Sequence, residues 1–315
     1  MKIAAIFPGY GSQFVGMGKE LYDKSRLVQE HFEQAASCLD INFVKLCFAS
    51  SDVEIARMGN AFTSLFLVSS SIFDLLKSEG IEVDAVAGYN VGQYAALHAA
   101  GSLSLPDGLY MLNKFVSLYE ELLAKNGFAF SLISGISAEQ LQALCKKVST
   151  KKKFVGIALY ESDSEHVIAG DAKAVEAVGK EVVNLEGTTE QIGPEVGLHS
   201  LLMGDVEKTF TPYLEKVDFK DATTMLLCNV NGKKIKIGKR LQECALAWIT
   251  LPVLWSQIVG QLKNYDVIVQ IGPGTQLRDM IQKRYPNKKM IAINNRADIE
   301  KLKTMLGLHK EAVEK

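Results

Sequence analysis

Short apolar runs alternate with longer stretches whose apolar residues recur at helical spacing, and the alternation sets out most of the chain. "KIAAIF" reads as a buried strand, ended by "PGYGSQ" and followed by helical text from about Gly16 to Tyr22. Residues 61–79, "AFTSLFLVSSSIFDLLKSE", are apolar at helical spacing and predict a largely buried helix. "VDAVAG" is a second buried strand, running into "GYNVGQ" and a helix. A long helix over 106–125 carries Pro106 and Asp107 at its start.

The texture then changes. "FAFSLISG", "FVGIALY", "EHVIAG" and "TEQIGPEV" read as strands, with helices "SAEQLQALCKKV" and "DAKAVEAVGKEVV" between them, each opened by a Ser or Asp cap. That β-α-β-β-α-β order over 128–198 is the ferredoxin-like pattern. The first texture resumes with a helix near 203–216 and an Asn-Gly hairpin in "TMLLCNVNGKKIKI". Helices near 239–249 and 252–263 follow, then the strand "DVIVQIG", a helix, the strand "KMIAINN" and a charged closing helix. Buried strands alternating with helices predict an α/β domain with a parallel sheet covered on both faces. The expected organisation is a large α/β unit from 1–127 and 199–315, with a ferredoxin-like subdomain over 128–198 inserted into it.

Composition changes this picture little. Of 315 residues 48% are hydrophobic and 23% charged, and the formal net charge is −1, which gives no reason to expect a nucleic-acid or membrane partner. Lysines cluster at Lys151–Lys153, Lys233–Lys236 and Lys288–Lys289; such a cluster can receive an acidic protein or a phosphorylated ligand, or be plain solvated loop. Cys38, Cys47, Cys145, Cys228 and Cys244 form no C-x-x-C pair, and their odd number fits no closed disulfide set, so buried free thiols are expected. The first residues lack the apolar length of a secretory signal, and no apolar run is expected to span a bilayer. A reduced, cytoplasmic protein is the simplest expectation.

Three short motifs hold candidate chemistry. Gly9-Tyr10-Gly11-Ser12-Gln13 lies between a strand and a helix, without the third glycine of a dinucleotide loop or the lysine of a P-loop. Such a turn can aim a backbone N–H at an oxyanion. Gly88-x-Asn90-x-Gly92 has the G-x-S-x-G spacing of a nucleophile elbow, with asparagine where the nucleophile stands. Asparagine tolerates positive φ, but a carboxamide is no hydroxyl or thiol for a base to activate. "GLHSLLM" places His199 beyond the ferredoxin-like pattern as a candidate base. His31, His98, His166 and His309 show no metal-ligand spacing.

Taken in order, with "IFPGYGSQFVGMG", "GYNVGQYAALHAAGSLSLPDGL", "VIAG", "GLHSLLM", "LPVLW" and "IGPG" spread along the chain, these motifs resemble the malonyl-CoA:acyl-carrier-protein transacylases and the acyltransferase domains of polyketide synthases. The resemblance implies their fold, an α/β-hydrolase-like parallel-sheet domain with a ferredoxin-like insertion. It implies acyl transfer in fatty-acid or polyketide biosynthesis, from a coenzyme A thioester to the phosphopantetheine thiol of an acyl carrier protein, with no bound cofactor or metal. A synthase component is a further implied partner. Carried over by position, His199 matches the base, with the Trp248 carbonyl orienting it. The backbone N–H groups of Tyr10 and Val91 match the oxyanion hole.

The departures form a pattern. Asn90 stands at the nucleophile position, Tyr89 replaces the usual His and Gln93 the usual Glu. Phe115 falls where family members that select malonyl groups carry a carboxylate-clamping Arg, with Lys114 adjacent, and Glu161 replaces an Asn. Losing a nucleophile can cost about six orders of magnitude in rate, and a missing Arg removes a bidentate, charge-assisted contact. The expectation is a homologue impaired in malonyl transfer that binds carrier protein or acyl-CoA. The alternatives are an acyltransferase or thioesterase for an uncharged acyl group, using His199 without a covalent serine intermediate, and a structural subunit assembling through its ferredoxin-like face.

Overall fold

The computed structural model describes residues 1–150 and 153–308; Lys151, Lys152 and His309 lie outside the described residues. β1 (Ile3–Phe7) consists of five buried residues, as a strand covered on both faces requires. A helical layer follows: α1 (Lys19–Lys24), α2 (Arg26–Leu39), α3 (Phe43–Ala49), α4 (Asp52–Ile55) and α5 (Met58–Ser78). The side chains of Ser25, Asn42 and Ser51 cap α2, α3 and α4, a signal that apolar periodicity alone passes over. α5, contrary to expectation, is long and apolar enough to cross a bilayer, but 83% of its most apolar stretch is buried inside the protein.

β2 (Ala85–Gly88), α6 (Gly92–Ala99) and α7 (Leu105–Lys125) complete the first half. Then come β3 (Phe128–Ser134), α8 (Ala138–Val148), β4 (Val155–Tyr160), β5 (Glu165–Asp171), α9 (Ala172–Asn184) and β6 (Thr188–Ile192). These strands make an antiparallel sheet in the order β4-β5-β3-β6, the ferredoxin-like arrangement that the element order implies. Ser137 and Asp171 cap its two helices as the sequence suggested. The strand read from "TEQIGPEV" stops at Ile192, because proline opens a short 3-10 turn at Pro194–Val196.

The chain returns through α10 (Gly204–Leu214), the hairpin of β7 (Met225–Leu227) and β8 (Lys234–Ile235), α11 (Gly238–Thr250) and α12 (Trp255–Leu262). β9 (Val267–Ile271), α13 (Gln276–Arg284), β10 (Lys289–Ile293) and α14 (Arg296–Leu306) close it. The large sheet runs β10-β9-β1-β2-β7-β8, parallel except for β8 at its edge. Phe7 pairs with Gly88 across β1 and β2, so the two glycine loops leave adjacent strands at one level. A crevice at the carboxyl ends of such strands is where α/β sheets bind ligands.

"LPVLW" stitches the two sheets together. Val253 N–H donates to Ala158 at 2.9 Å and its carbonyl accepts from Tyr160 N–H at 2.8 Å, which continues β4 into the large unit. The cysteines depart from expectation. Cys228, just past β7, and Cys244 in α11 form a disulfide, Cys38 is an exposed thiol, and Cys47 and Cys145 are buried thiols. A hairpin and two helical turns separate the bonded pair, so no local spacing announces it.

Candidate active site

The elbow exists because two glycines let backbone approach backbone. A Cβ on Gly88 would lie 2.1 Å from the Gln93 nitrogen, and one on Gly92 would lie 2.3 Å from the Phe7 carbonyl oxygen. The start of α6 is thus pressed onto the ends of β1 and β2, and Asn90 at the apex has φ of 51°. Gly9 of the first loop packs on the same bend, since its Cβ would come 2.7 Å from the Tyr89 carbonyl and 3.4 Å from Asn90 Cβ. Among the described residues the backbone N–H groups of Tyr10 and Val91 have no hydrogen-bond acceptor, leaving both donors free for a ligand. Tyr10 itself is anchored from its far end, where its hydroxyl donates to the Ala56 carbonyl at 2.9 Å.

Asn90 is buried, and its Nδ2 donates to the Val196 carbonyl at 2.8 Å while Oδ1 is unpartnered. Three residues beyond Val196 the chain bends again, with His199 at φ 39°. His199 Nδ1 lies 2.7 Å from the Trp248 carbonyl. A carbonyl only accepts, so Nδ1 carries the proton and Nε2 presents its lone pair; Nε2 is buried and unpartnered. Burial pulls the pKa of His199 down to about 4, against the opposing pull of the Trp248 and Val196 carbonyls. The ring is therefore neutral at neutral pH, the form a general base needs. Gly197, at φ 85°, is obligatory beside it: a Cβ there would sit 2.5 Å from Nε2.

Phe115 is buried among Tyr119, Phe210 and Trp248, and Trp248 in turn lies edge-on to His199 with ring centres 4.9 Å apart. Phe115, where the resemblance would put a cationic clamp, is thus part of an apolar wall one ring away from His199. Lys114 does not take the clamp's place, because its ammonium lies over the Tyr213 ring at 4.5 Å.

Glu161 reaches the elbow from the end of β4 and accepts a hydrogen bond from the Tyr89 hydroxyl. Burial raises both pKa values, and the nearby Glu161 carboxylate raises that of Tyr89 further. Two departures read separately from the sequence are one contact. Gln93 is turned elsewhere: its Nε2 lies 3.8 Å from Cys244 Sγ, with Oε1 unpartnered. Among the described residues its side chain has no hydrogen bond to Asn90 or His199; only its backbone N–H reaches the elbow, donating to the Asn90 carbonyl at 3.0 Å.

Sequence reasoning missed Val196, Gly197 and Asn229. Asn229 is fully buried and donates to the Gly88 carbonyl at 3.1 Å, while its own carbonyl accepts from Leu254 N–H at 2.6 Å. The glycine before "LHS" was the available signal for the His199 bend; nothing local marks Asn229.

Residues 5–312 match the family described as "Acyl transferase domain". The chain is 31% identical over 303 residues to a malonyl CoA-acyl carrier protein transacylase of Bacillus subtilis, covering 95% of each. It is similar to the crystal structure of FabD from Acinetobacter baumannii at 27% identity, with a TM-score of 0.90 and 98% of each chain covered. The same fold recurs at 22% identity and a TM-score of 0.90 in a malonyl-transacylase solved in complex with its type II polyketide acyl-carrier protein, covering 98% of this chain and 100% of that one.

Proposed function

As the chain belongs to the acyl transferase domain family, we propose that it binds acyl thioesters of coenzyme A and of an acyl carrier protein without performing covalent malonyl transfer. The observation that carries this reading is Asn90. Its backbone keeps the bend of a nucleophile elbow, and its amide is spent on the Val196 carbonyl. Such a side chain holds a shape and forms no acyl-enzyme. The aromatic setting of Phe115 and the diversion of Lys114 to Tyr213 support exclusion of a free carboxylate.

In this reading the thioester carbonyl sits against the N–H groups of Tyr10 and Val91, donors of the kind worth roughly 3–4 kcal/mol each to a developing oxyanion. The apolar acyl chain faces Phe115. The sheets and their cores support the division into a large unit, 1–127 and 199–315, with 128–198 inserted. A cytoplasmic setting is part of this reading.

Intact-mass analysis after incubation with a panel of acyl-CoAs tests the proposal. Wild type is expected to gain no acyl mass, whereas Asn90→Ser gains one. A stable adduct on the wild-type protein overturns the reading.

A second reading rests on the unpartnered Nε2 of His199. With Nδ1 held by Trp248, Nε2 can take a proton from water or from the carrier thiol, which then attacks the thioester carbon directly. Steady-state release of free acid or coenzyme A from uncharged acyl-CoAs, abolished in His199→Ala, would establish it; no turnover above buffer ends it.

A further inference from the structure

The disulfide between Cys228 and Cys244 takes no part in the site just described, yet it is built against it. Cys228 is followed by Asn229, which holds the Gly88 carbonyl of the elbow strand at 3.1 Å. Cys244 stands one helical turn before Trp248, whose carbonyl holds His199, and its Sγ lies 3.8 Å from Gln93 Nε2 of α6. One covalent bond therefore joins the support of the elbow to the support of the candidate base. In the cytoplasmic setting of the proposed reading, disulfides are as a rule exchanging rather than structural.

The two sulfurs are not equally approachable. Cys228 has no exposed surface, whereas Cys244 lines a groove of about 390 Å³ between β8 and α11, a volume within the range of small-molecule sites. Lys233, Lys234, Lys236 and Arg240 line the same groove, with Glu243 as its sole acid among the described residues. All four cations are exposed, and none forms an ion pair among the described residues. Lys236 alone has a side-chain partner, the Thr223 carbonyl at 2.9 Å. Lysines elsewhere commonly pair with an acid one helical turn away, as Lys19 does with Asp23 and Lys125 with Glu121. On a chain of net charge −1, uncompensated cations beside a disulfide sulfur are a local arrangement.

We propose that Cys244 is a thiol–disulfide exchange site for a small anionic thiol, which Lys233, Lys234 and Arg240 draw into the groove. The thiolate of the incoming molecule attacks Cys244 Sγ, and the bond to Cys228 breaks. Cys228 leaves as a thiolate and takes up a proton, while Cys244 carries the thiol as a mixed disulfide. A second thiol molecule attacks that mixed disulfide, departs as the oxidised dimer, and leaves both cysteines as thiols. The two thiols supply the two electrons, so the step needs no other reductant. Cations around a sulfur stabilise the thiolate that attacks or leaves, and they speed the approach of an anion in a manner that salt suppresses. Opening the bond unfastens α11, with Trp248, from the end of β7.

The test follows opening of the bond in anaerobic buffer, by intact mass after quenching with N-ethylmaleimide. Glutathione, coenzyme A and the neutral 2-mercaptoethanol are each run against wild type and the triple variant Lys233→Gln, Lys234→Gln, Arg240→Gln. At low salt the variant is expected to lose about tenfold in the rate with the anionic thiols, and high salt is expected to do the same to wild type. The rate with 2-mercaptoethanol is expected to stay within about twofold throughout, which also shows that the variant is folded. The larger loss, with glutathione or with coenzyme A, tells a carboxylate-bearing ligand from a phosphate-bearing one. In Cys38→Ser, Cys228→Ser, oxidised glutathione is expected to leave a mixed disulfide that maps to Cys244. Equal losses with charged and neutral thiols, unchanged rates in the triple variant, or a mixed disulfide on other cysteines alone overturns the proposal. So does a denatured wild-type chain in which all five cysteines alkylate without reductant. These readouts need no acyl thioester, so their failure leaves the reading of the crevice standing.

Discussion

Asn90 and His199 are both held in the left-handed region, at φ 51° and 39°, and each is held by one hydrogen bond to a carbonyl, Val196 for Asn90 and Trp248 for His199. For His199 the cost of that burial is a pH dependence. Its folded pKa of about 4 lies below the ordinary 6.5, so the unfolded chain binds the extra proton first. The stability it confers is complete above the unfolded value and is lost as pH falls from 6.5 toward 4. Urea unfolding at about pH 7.5 and about pH 4 is expected to show wild type losing about 3 kcal/mol more than His199→Gln over that interval. Equal losses would mean that the ring is solvated in the native state. The sequence displayed both residues through motif position. The Trp248 carbonyl came with the family resemblance, whereas Val196 was hidden, because it acts through a carbonyl that every residue carries.

At the level of elements, the elbow is a packing requirement before it is a chemical one. Gly92→Ala would drive a methyl into the Phe7 and Pro8 carbonyls and is expected to cost about 3 kcal/mol or more, read from the denaturant midpoint. Its effect should exceed that of Gly260→Ala, where nothing lies within 4 Å of the added atom. The strands were legible because fully buried segments such as "IAAIF" and "VIVQI" are apolar throughout. The helices α2 to α4 were not, since they are short or strongly amphipathic and announce themselves by caps rather than by an apolar run. The join between Tyr89 and Glu161 was equally hidden: 72 residues separate them, and they meet only in the folded chain.

For the whole molecule, the least legible feature is the bond between Cys228 and Cys244. It fastens the end of β7 to α11, the helix that carries Trp248, and closes a loop with a sequence separation of 16. A cross-link of that span stabilises a fold by about 3 kcal/mol in the chain-entropy account. A dithiol reductant is therefore expected to lower the thermal midpoint of wild type and leave that of Cys228→Ser, Cys244→Ser unchanged. Identical shifts in both would show that the two cysteines are thiols in solution.

The contact between Asn90 and Val196 has a consequence for time as well as for place. Val196 lies where the chain crosses back from the four-stranded sheet to the six-stranded one, and Asn90 fastens that crossing to the elbow. Any separation of the crossing from the elbow has to break this contact first. On the proposed reading, the residue that forgoes covalent turnover also braces the crossing, and slow release is what is expected of a protein that holds a thioester rather than transferring it.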